Sequence, residues 1–344
     1  MKMNYIEFPK IQNRRKNPLD DIVFSSRVRI SRNIESLRFP LFLDETTLSD
    51  LEEKVANEIK KIVKDICFQR IEALTNNELM SYLTNKVITE EFIRNGRLFC
   101  YQRNGDWVLL FNEEDHIKLF SIETGYNVRQ IYQRLNNFLV LLEENIDFAF
   151  DEEFGYLTSS ILNVGTALRI SVLVNLSGIF YAGKIEELKS SLKEMSYNIQ
   201  PFYSSDVPLY YLYNTYSLGI SEEEMTEEIE NNLLKILKME YRFREDVIYN
   251  KKDEVKKIVE KFFNLNKINK LYYKDFLEYI LIVDLLNKST LYVDDINYIR
   301  NLIFIAQDDY LKFKYQLDED EMSEMRIFLI RKIIKQLKYR KAYI

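Results

Sequence analysis

The last third of the chain lacks the two residues that most often interrupt regular structure. In a chain of 344 residues, no glycine follows Gly219 and no proline follows Pro208. Apolar side chains recur there at helical spacing, most clearly over residues 255–263, 276–286, 296–305 and 325–337. Because glycine and proline are the strongest helix breakers, their absence together with this period predicts an almost uninterrupted series of helices.

The earlier part of the chain mixes helical and strand patterns. Helical spacing over residues 43–67 predicts an amphipathic helix, which Asp44 or Thr46 can cap. Two apolar runs, 98–101 and 107–111, flank a turn containing Asn-Gly and predict a hairpin. Further helices are predicted at 127–144, at 184–193 and from Ser221, with strand or buried-helix signals over 159–182 and extended chain over 197–216.

The change of pattern near residues 240–250 predicts two domains. We place a mixed α+β domain at 1–245, with a small helical part at about 40–95, and an all-helical domain at 246–344.

Composition narrows the classes of function. The formal net charge is -6 and the pI is near 5.3, so nothing attracts the whole chain to nucleic acid or to an anionic membrane. No secretion signal is readable near the N-terminus, and the longest apolar stretch, 279–286, is too short to span a bilayer. One histidine and two cysteines without metal-ligand spacing predict no metal site made of protein ligands. We expect a cytoplasmic protein with reduced thiols.

Residues 23–33 concentrate three arginines and several hydroxyls among apolar residues. In a strand, Arg27 and Arg29 point to one face while Val28 points to the other, into a core. Two guanidiniums on one face suit a polyphosphate, because each is a permanently charged fork of donors that matches phosphate oxygens. The alternative is an edge strand with ordinary surface arginines.

A second apolar strand, 107–111, leads directly into Asn112 and three consecutive carboxylates followed by His116. Carboxylates hold a guanidinium by paired hydrogen bonds, and one of them can take its proton as a general base. The alternative is a solvated strand end or a helix cap.

A third pattern is the turn at Gly165-Thr166, with Arg169 shortly after it. Main-chain donors in such a turn can meet phosphate oxygens, and Arg169 could add a charged fork. The spacing matches neither a Walker loop nor a dinucleotide fingerprint, so the turn alone is a weak signal.

Taken together and in this order, the motifs resemble the phosphagen (ATP:guanidino) kinase family, and more closely its bacterial branch, the protein arginine kinases. The helical tail resembles the extra domain of that branch, so the resemblance covers nearly the whole chain. The matching segments are Ser25-Ser26-Arg27-Val28-Arg29, Ser31-Arg32-Asn33, Asn112-Glu113-Glu114-Asp115-His116-Ile117, residues 147–150, Gly155-Tyr156-Leu157-Thr158 and Asn163-Val164-Gly165-Thr166.

The resemblance implies a fold and a set of roles. The catalytic domain would have a curved antiparallel sheet flanked by helices, followed by a helical dimerisation and regulatory domain. Glu114 would hold and deprotonate the target guanidinium, and Mg²⁺ would be held by the phosphates rather than by dedicated protein ligands. The residues implied for ATP binding are Ser25, Ser26, Arg27, Val28, Arg29, Lys118 and Arg169.

The resemblance also implies partners. These are proteins with an exposed arginine as substrates, a second copy of the chain in a homodimer, and, by analogy, an adaptor protein and a Clp-type protease in a stress response. No nucleic acid or membrane partner is expected.

Several positions depart from the family pattern. Lys118 and Gln200 stand where the family has phosphate-binding arginines, and Ser160 stands where many members have a reactive cysteine. The other departures are Ile161 for a proline, residues 201–206 in place of a glycine-rich loop, a missing histidine near 85–86, and a reduced phosphoarginine-sensing motif that retains Arg326.

These departures leave two hypotheses open. The first is ATP-dependent phosphorylation of protein arginines, with full or reduced activity. The second is a degenerate kinase that binds nucleotide or partner and acts as a regulatory scaffold. A purely structural helical dimer ranks last, because it explains only the tail.

Overall fold

The computed structural model describes residues 17–84, 86–103, 105–250, 269–287, 291–292 and 295–339. The strands are β1 (Val23–Arg32), β2 (Ile66–Arg70), β3 (Leu98–Gln102), β4 (Val108–Phe111), β5 (Ile117–Thr124), β6 (Phe150–Asp151), β7 (Gly155–Tyr156), β8 (Leu168–Asn175), β9 (Tyr197–Pro201), β10 (Leu209–Asn214), β11 (Leu291–Tyr292) and β12 (Lys338–Tyr339). Eight of them form one antiparallel sheet in the order β2-β3-β4-β5-β1-β8-β10-β9.

Helices cover both faces of this sheet. They are α1 (Glu45–Ile62), α2 (Asn76–Thr84), α3 (Glu90–Asn95), α4 (Val128–Glu143), α5 (Ser177–Tyr181), α6 (Ile185–Glu194), α7 (Glu222–Asn250), α8 (Tyr273–Leu286), α9 (Ile296–Ile305), α10 (Asp308–Tyr315) and α11 (Glu319–Gln336). Within the described ranges, none of these helices is both long and apolar enough to cross a membrane.

One face of the sheet packs into the largest core. Val28 and Ile30 of β1 are fully buried there, as the alternation along β1 predicts. The apolar faces of α1, α4, α6 and α7 cover them, through residues such as Val55, Leu135 and Ile229. This packing fixes the register of β1 and therefore directs its odd-numbered side chains to the opposite face.

The opposite face carries two separate smaller cores. Phe99 and Phe120 pack with Phe92 of α3 at the β3–β5 end. At the other end, Leu173 and Leu209 pack against α8, α9 and α11. Between these two cores, β1 and β8 border a cavity.

Most predicted elements are confirmed, with one clear correction. The hairpin is β3–β4, the helix predicted at 127–144 is α4, and Ser221 caps α7 by accepting from the Glu224 N–H (3.2 Å). The helix predicted over 43–67 ends at Ile62, and Cys67 lies in β2. The apolar spacing continues past the helix because Ile62 and Ile66 pack against the same core, one from a helix and one from a strand.

The antiparallel sheet flanked by helices and the helical C-terminal region are also confirmed. The two-residue strands β11 and β12 interrupt that region. The boundary at 245 and 246 lies inside α7, so the division into two domains stays a prediction. The helical pattern predicted over 255–263 lies outside the described residues.

Candidate active site

Three guanidiniums share the cavity between the two smaller cores, and we call Arg27, Arg29 and Arg169 the arginine cluster. The cavity has a volume of about 320 Å³, and Ser25 also lines it. Arg29 is directly opposite Arg169 across the β1–β8 pair, and Arg27 is opposite Ser171. The period-two geometry of two adjacent strands therefore places all three charges on one wall.

Aromatic rings lie against two members of the arginine cluster. The Arg27 guanidinium lies 4.6 Å from the centre of the Phe120 ring, and that of Arg169 lies 4.5 Å from the centre of the Tyr213 ring. The buried Nε atoms of Arg27 and Arg29 have no hydrogen-bond partner within the described part of the chain. A buried donor without a partner is costly, so these groups suit a ligand that brings acceptors.

Burial and mutual repulsion both act on the arginine cluster. Burial, together with the Arg29 and Arg169 charges, lowers the pKa of Arg27 to about 10. Burial and the nearby Arg29 charge likewise lower the pKa of Arg169. Bringing three positive charges together is unfavourable until a multivalent anion neutralises them, which is the behaviour of a polyphosphate site.

The two even-numbered residues expected at the nucleotide are placed on the other face of β1. The Ser26 hydroxyl donates to the Gly125 carbonyl (2.8 Å) and accepts from the Asn127 N–H (3.1 Å), beside the start of α4. The Val28 side chain is fully buried in the largest core. Either residue could therefore contact a nucleotide only through its main-chain atoms.

The acidic turn, residues 112–116, is fastened to the end of β1. The Asp115 carboxylate accepts from Asn33 Nδ2 and from the Ser159 N–H, both at 2.8 Å. His116 Nδ1 accepts from the Ile34 N–H (3.0 Å). His116 is thus a structural residue, and burial lowers its pKa to about 4.

This anchoring places Glu114 beside Arg29 of the arginine cluster, although Glu114 is not among the residues that line the cavity. Glu114 is half-buried, and burial raises its pKa, with a further increase from the adjacent Asp115 charge. The Arg29 charge opposes that increase, and the Glu114 charge in turn raises the pKa of Arg29. A carboxylate with a raised pKa, next to arginines that can bind an anion, can accept a proton from a bound guanidinium.

Lys118 pairs with a carboxylate of the acidic turn. It is buried on β5 and forms an ion pair with Glu113, whose carboxylate also accepts from the Thr89 hydroxyl. Burial lowers the pKa of Lys118, and the Arg29 and Arg27 charges lower it further. Lys118 is not among the residues that line the cavity.

The main-chain N–H groups of the turn at Gly165-Thr166 form hydrogen bonds within the protein. The Gly165 N–H donates to the Tyr156 carbonyl (3.3 Å), and the Thr166 N–H donates to the Ser217 carbonyl (3.1 Å). A Cβ on Gly165, whose φ is +113°, would lie 2.2 Å from the Ser217 oxygen. The idea that these main-chain donors bind phosphate is therefore wrong, and only Arg169 of this motif reaches the cavity.

Further residues outside the predicted site also line the cavity. Gln200 lines the wall where the family has an arginine, and Lys86 lies beside the unfilled histidine position. The others are Ile122, Ser171, Phe202, Tyr211, Tyr213, Phe304 and Gln307. The run of tyrosines over 210–216 is a sequence signal for two of these, Tyr211 and Tyr213, since it predicts a strand with aromatic side chains.

Among the described residues, no group of three or more His, Cys, Asp or Glu side chains is placed to hold a metal ion.

Comparison with known proteins agrees with this geometry. Residues 47–243 match the profile described as ATP:guanido phosphotransferase, C-terminal catalytic domain. The protein-arginine kinase of Clostridium perfringens (strain ATCC 13124) is 32% identical over 241 residues, covering 67% of this chain and 71% of that protein. The protein-arginine kinase of Clostridium botulinum (strain Eklund 17B) is 25% identical over 327 residues, covering 92% of this chain and 96% of that protein.

Solved structures show the same fold. The duplicated taurocyamine kinase from Schistosoma mansoni with bound transition state analog components has a TM-score of 0.61 at 20% identity, covering 70% of this chain and 37% of that one. Lombricine kinase has a TM-score of 0.59 at 19% identity, covering 69% and 70%. Since the profile spans more than half of the sequence, the chain belongs to the ATP:guanido phosphotransferase family.

Proposed function

We propose that the protein transfers the γ-phosphoryl group of ATP to arginine side chains of other proteins. The observation that carries the proposal is the position of Glu114 beside Arg29, one of three guanidiniums on one wall of a cavity. Arginine as the acceptor is supported by the two similar proteins described above, both of which are protein-arginine kinases.

The residues have complementary tasks in this reaction. Arg27, Arg29 and Arg169 bind and align the phosphate oxygens, which neutralises their charge during transfer. Glu114 binds the target guanidinium and accepts the proton that it loses as the N–P bond forms and the bond to the ADP oxygen breaks. ATP supplies the phosphoryl group, and Mg²⁺ held by its phosphates supplies further charge neutralisation.

The decisive experiment is an assay for acid-labile phosphate on arginine with purified protein, magnesium ATP and an arginine-rich protein. We expect phosphoarginine with the wild type and with Glu144→Gln, an exposed residue at the end of α4. Glu114→Gln keeps the shape but removes the base, so its labelling should fall to background. Equal labelling by the wild type and Glu114→Gln would reject the role of Glu114.

A second candidate function is a nucleotide-binding regulatory scaffold without turnover. It is favoured by the pairing of Lys118 with Glu113 and by Gln200 in the cavity, since both leave the phosphate site with fewer free charges. ATP binding by calorimetry without phosphoarginine formation would support this function over the first. Unchanged ATP affinity in Arg27→Ala with Arg169→Ala would count against both.

We also propose a homodimer, together with an adaptor and a Clp-type protease as partners in a stress response, all by family resemblance. The apolar faces of α8 and α9 pack within the chain itself, through residues such as Phe276 and Leu302, so we expect a dimer to use another surface. A monomeric mass at micromolar concentration would contradict the dimer.

A further inference from the structure

The helical C-terminal region supplies one wall of the cavity that contains the arginine cluster. Phe304, near the end of α9, and Gln307, which precedes α10, line this cavity together with Arg27. We call Phe304 and Gln307 the C-terminal wall. It lies outside residues 47–243, which match the catalytic-domain profile.

Buried polar contacts fix the position of the C-terminal wall. Arg326 of α11 is buried, donates to the Ala306 carbonyl through Nε (3.0 Å) and Nη2 (2.8 Å), and forms an ion pair with Asp308. These partners flank Gln307 on both sides. The Tyr273 hydroxyl donates to the Ile303 carbonyl, next to Phe304. The wall is therefore held by the helical region's own packing.

The guanidinium charges of the cavity lie at one end, beside Tyr213, and the rings of Phe202, Tyr211 and Phe304 lie at the other. Along β1 and β8 the lining runs from Arg29 and Arg169 to Ser25. Beyond this, the Phe202 ring lies 5.7 Å from that of Tyr211 and 6.4 Å from that of Phe304, measured between ring centres. A nucleoside triphosphate has the same polarity, with a polyanion at one end and a flat aromatic base at the other.

Two carboxamides stand at the aromatic end. Gln200 is on β9 directly opposite Tyr211, and Gln307 enters from the C-terminal wall. Gln307 Nε2 donates one hydrogen bond to the Phe304 carbonyl (3.3 Å). A carboxamide carries two donors and an acceptor oxygen, so both side chains can offer hydrogen bonds to the polar edge of a base.

We propose that the C-terminal wall binds the nucleobase, with Phe304 packing on its ring and Gln307 bonding its edge. This inference rests on the proposed function, because it takes the arginine cluster as the site of the phosphates. Base–aromatic contact needs only a π face and a planar ring, and both are present at this end. ATP affinity then depends on the docking of the helical region onto the sheet.

The test compares two ligands by calorimetry, magnesium ATP and magnesium tripolyphosphate, which lacks the nucleoside. Phe304→Ala should weaken ATP binding about tenfold, the scale of base–aromatic stacking, and leave tripolyphosphate binding within about twofold. Gln307→Ala should weaken ATP binding about threefold with the same selectivity, the scale of one neutral hydrogen bond. Phe328→Ala, an exposed phenylalanine of α11, is the matched control and should change neither.

Each other outcome has a defined meaning. Unchanged ATP binding in both wall variants, or equal loss of both ligands, overturns the inference. Tripolyphosphate binding without tighter ATP binding by the wild type overturns it too, but leaves the arginine cluster as a phosphate site. Binding of neither ligand by the wild type rejects the proposed function itself. If Phe304→Ala does not fold, Phe304→Leu, which keeps apolar volume but not the planar ring, and Gln307→Ala decide the question.

Discussion

Arg29 and Arg169 are in register on adjacent strands, so two guanidiniums face each other directly across the β1–β8 pair. Burial lowers the pKa of each, and the Arg29 charge lowers that of Arg169 further. Like charges in this position oppose folding, and the chain retains both. Binding of an anion therefore favours both charges, whereas the stability of the fold favours fewer.

The first prediction follows from this opposition. Arg169→Met should increase the free energy of unfolding by about 1 kcal/mol, because it removes a desolvated charge and its repulsion. The same variant should bind tripolyphosphate at least tenfold more weakly, since a charge-assisted hydrogen bond contributes about 1.5–3 kcal/mol. Urea denaturation and calorimetry measure the two effects.

Arg331→Met is the control for Arg169→Met, because Arg331 is exposed on α11. It should leave both quantities unchanged. A loss of stability in Arg169→Met without ligand would contradict the account of the arginine cluster as repulsive.

The second prediction concerns the pH dependence of transfer. Burial, Asp115 and Glu91 raise the pKa of Glu114, while Arg29 lowers it, and the net direction is upward. A general base must be deprotonated, so kcat/KM should fall with decreasing pH through a pKa above the value of about 4.3 for an exposed glutamate. Asp115→Asn removes one raising charge and should move this acidic limb to lower pH.

The Asp115→Asn side chain keeps an oxygen that can accept from Asn33, so the acidic turn should hold its position. An acidic limb that does not move in this variant would show that Glu114 is not the titrating group.

The third prediction uses the only histidine in the sequence. Burial lowers the pKa of His116 to about 4, against about 6.5 in an unfolded chain. Between these values the unfolded state binds the proton and the folded state does not, so stability falls as pH falls from about 6.5 to about 4. The contribution reaches at most about 1.4 kcal/mol per pH unit.

Urea denaturation at several pH values measures this contribution as the difference between the wild type and His116→Gln. The variant should be less stable at neutral pH, because the bond from the Ile34 N–H is disturbed, but should lose less stability on acidification. Parallel pH curves for the two proteins would contradict the prediction.

The sequence was sufficient to predict β1 and the side-chain direction of its arginines. Strand alternation is local, and Val28 and Ile30 must face a core, so Arg27 and Arg29 are directed to the opposite face. The same alternation directs the Ser26 side chain to the other face of the sheet, away from these arginines. A family motif names consecutive residues, whereas the geometry of a strand separates them.

The C-terminal wall could not be predicted in this way. Phe304 and Gln307 lie more than 270 positions after Arg27 in the sequence, and no spacing connects them. Their place depends on how α8, α9 and α11 pack beside Leu173 and Leu209, which is a matter of tertiary structure. The pairing of Lys118 with Glu113 was missed for a related reason, since it needs the geometry of the acidic turn between them.

The last prediction concerns the buried network that joins the helical region to the sheet. Asp284 of α8 accepts from Asn175 Nδ2 at the end of β8 (2.7 Å) and from Arg300 Nε of α9 (2.6 Å). Arg300 also donates to the carbonyls of Asp20 and Asp21. Asp284→Ala leaves a buried guanidinium without its carboxylate and should lower the free energy of unfolding by about 3–5 kcal/mol.

Urea denaturation of a double-mutant cycle measures this coupling. Adding Arg300→Met to Asp284→Ala should recover part of the loss, because the second change removes the charge that the first leaves unpaired. Glu324→Ala, at an exposed site on α11, should change stability by less than about 0.5 kcal/mol. Strictly additive effects of Asp284→Ala and Arg300→Met would mean that the two side chains do not stabilise each other.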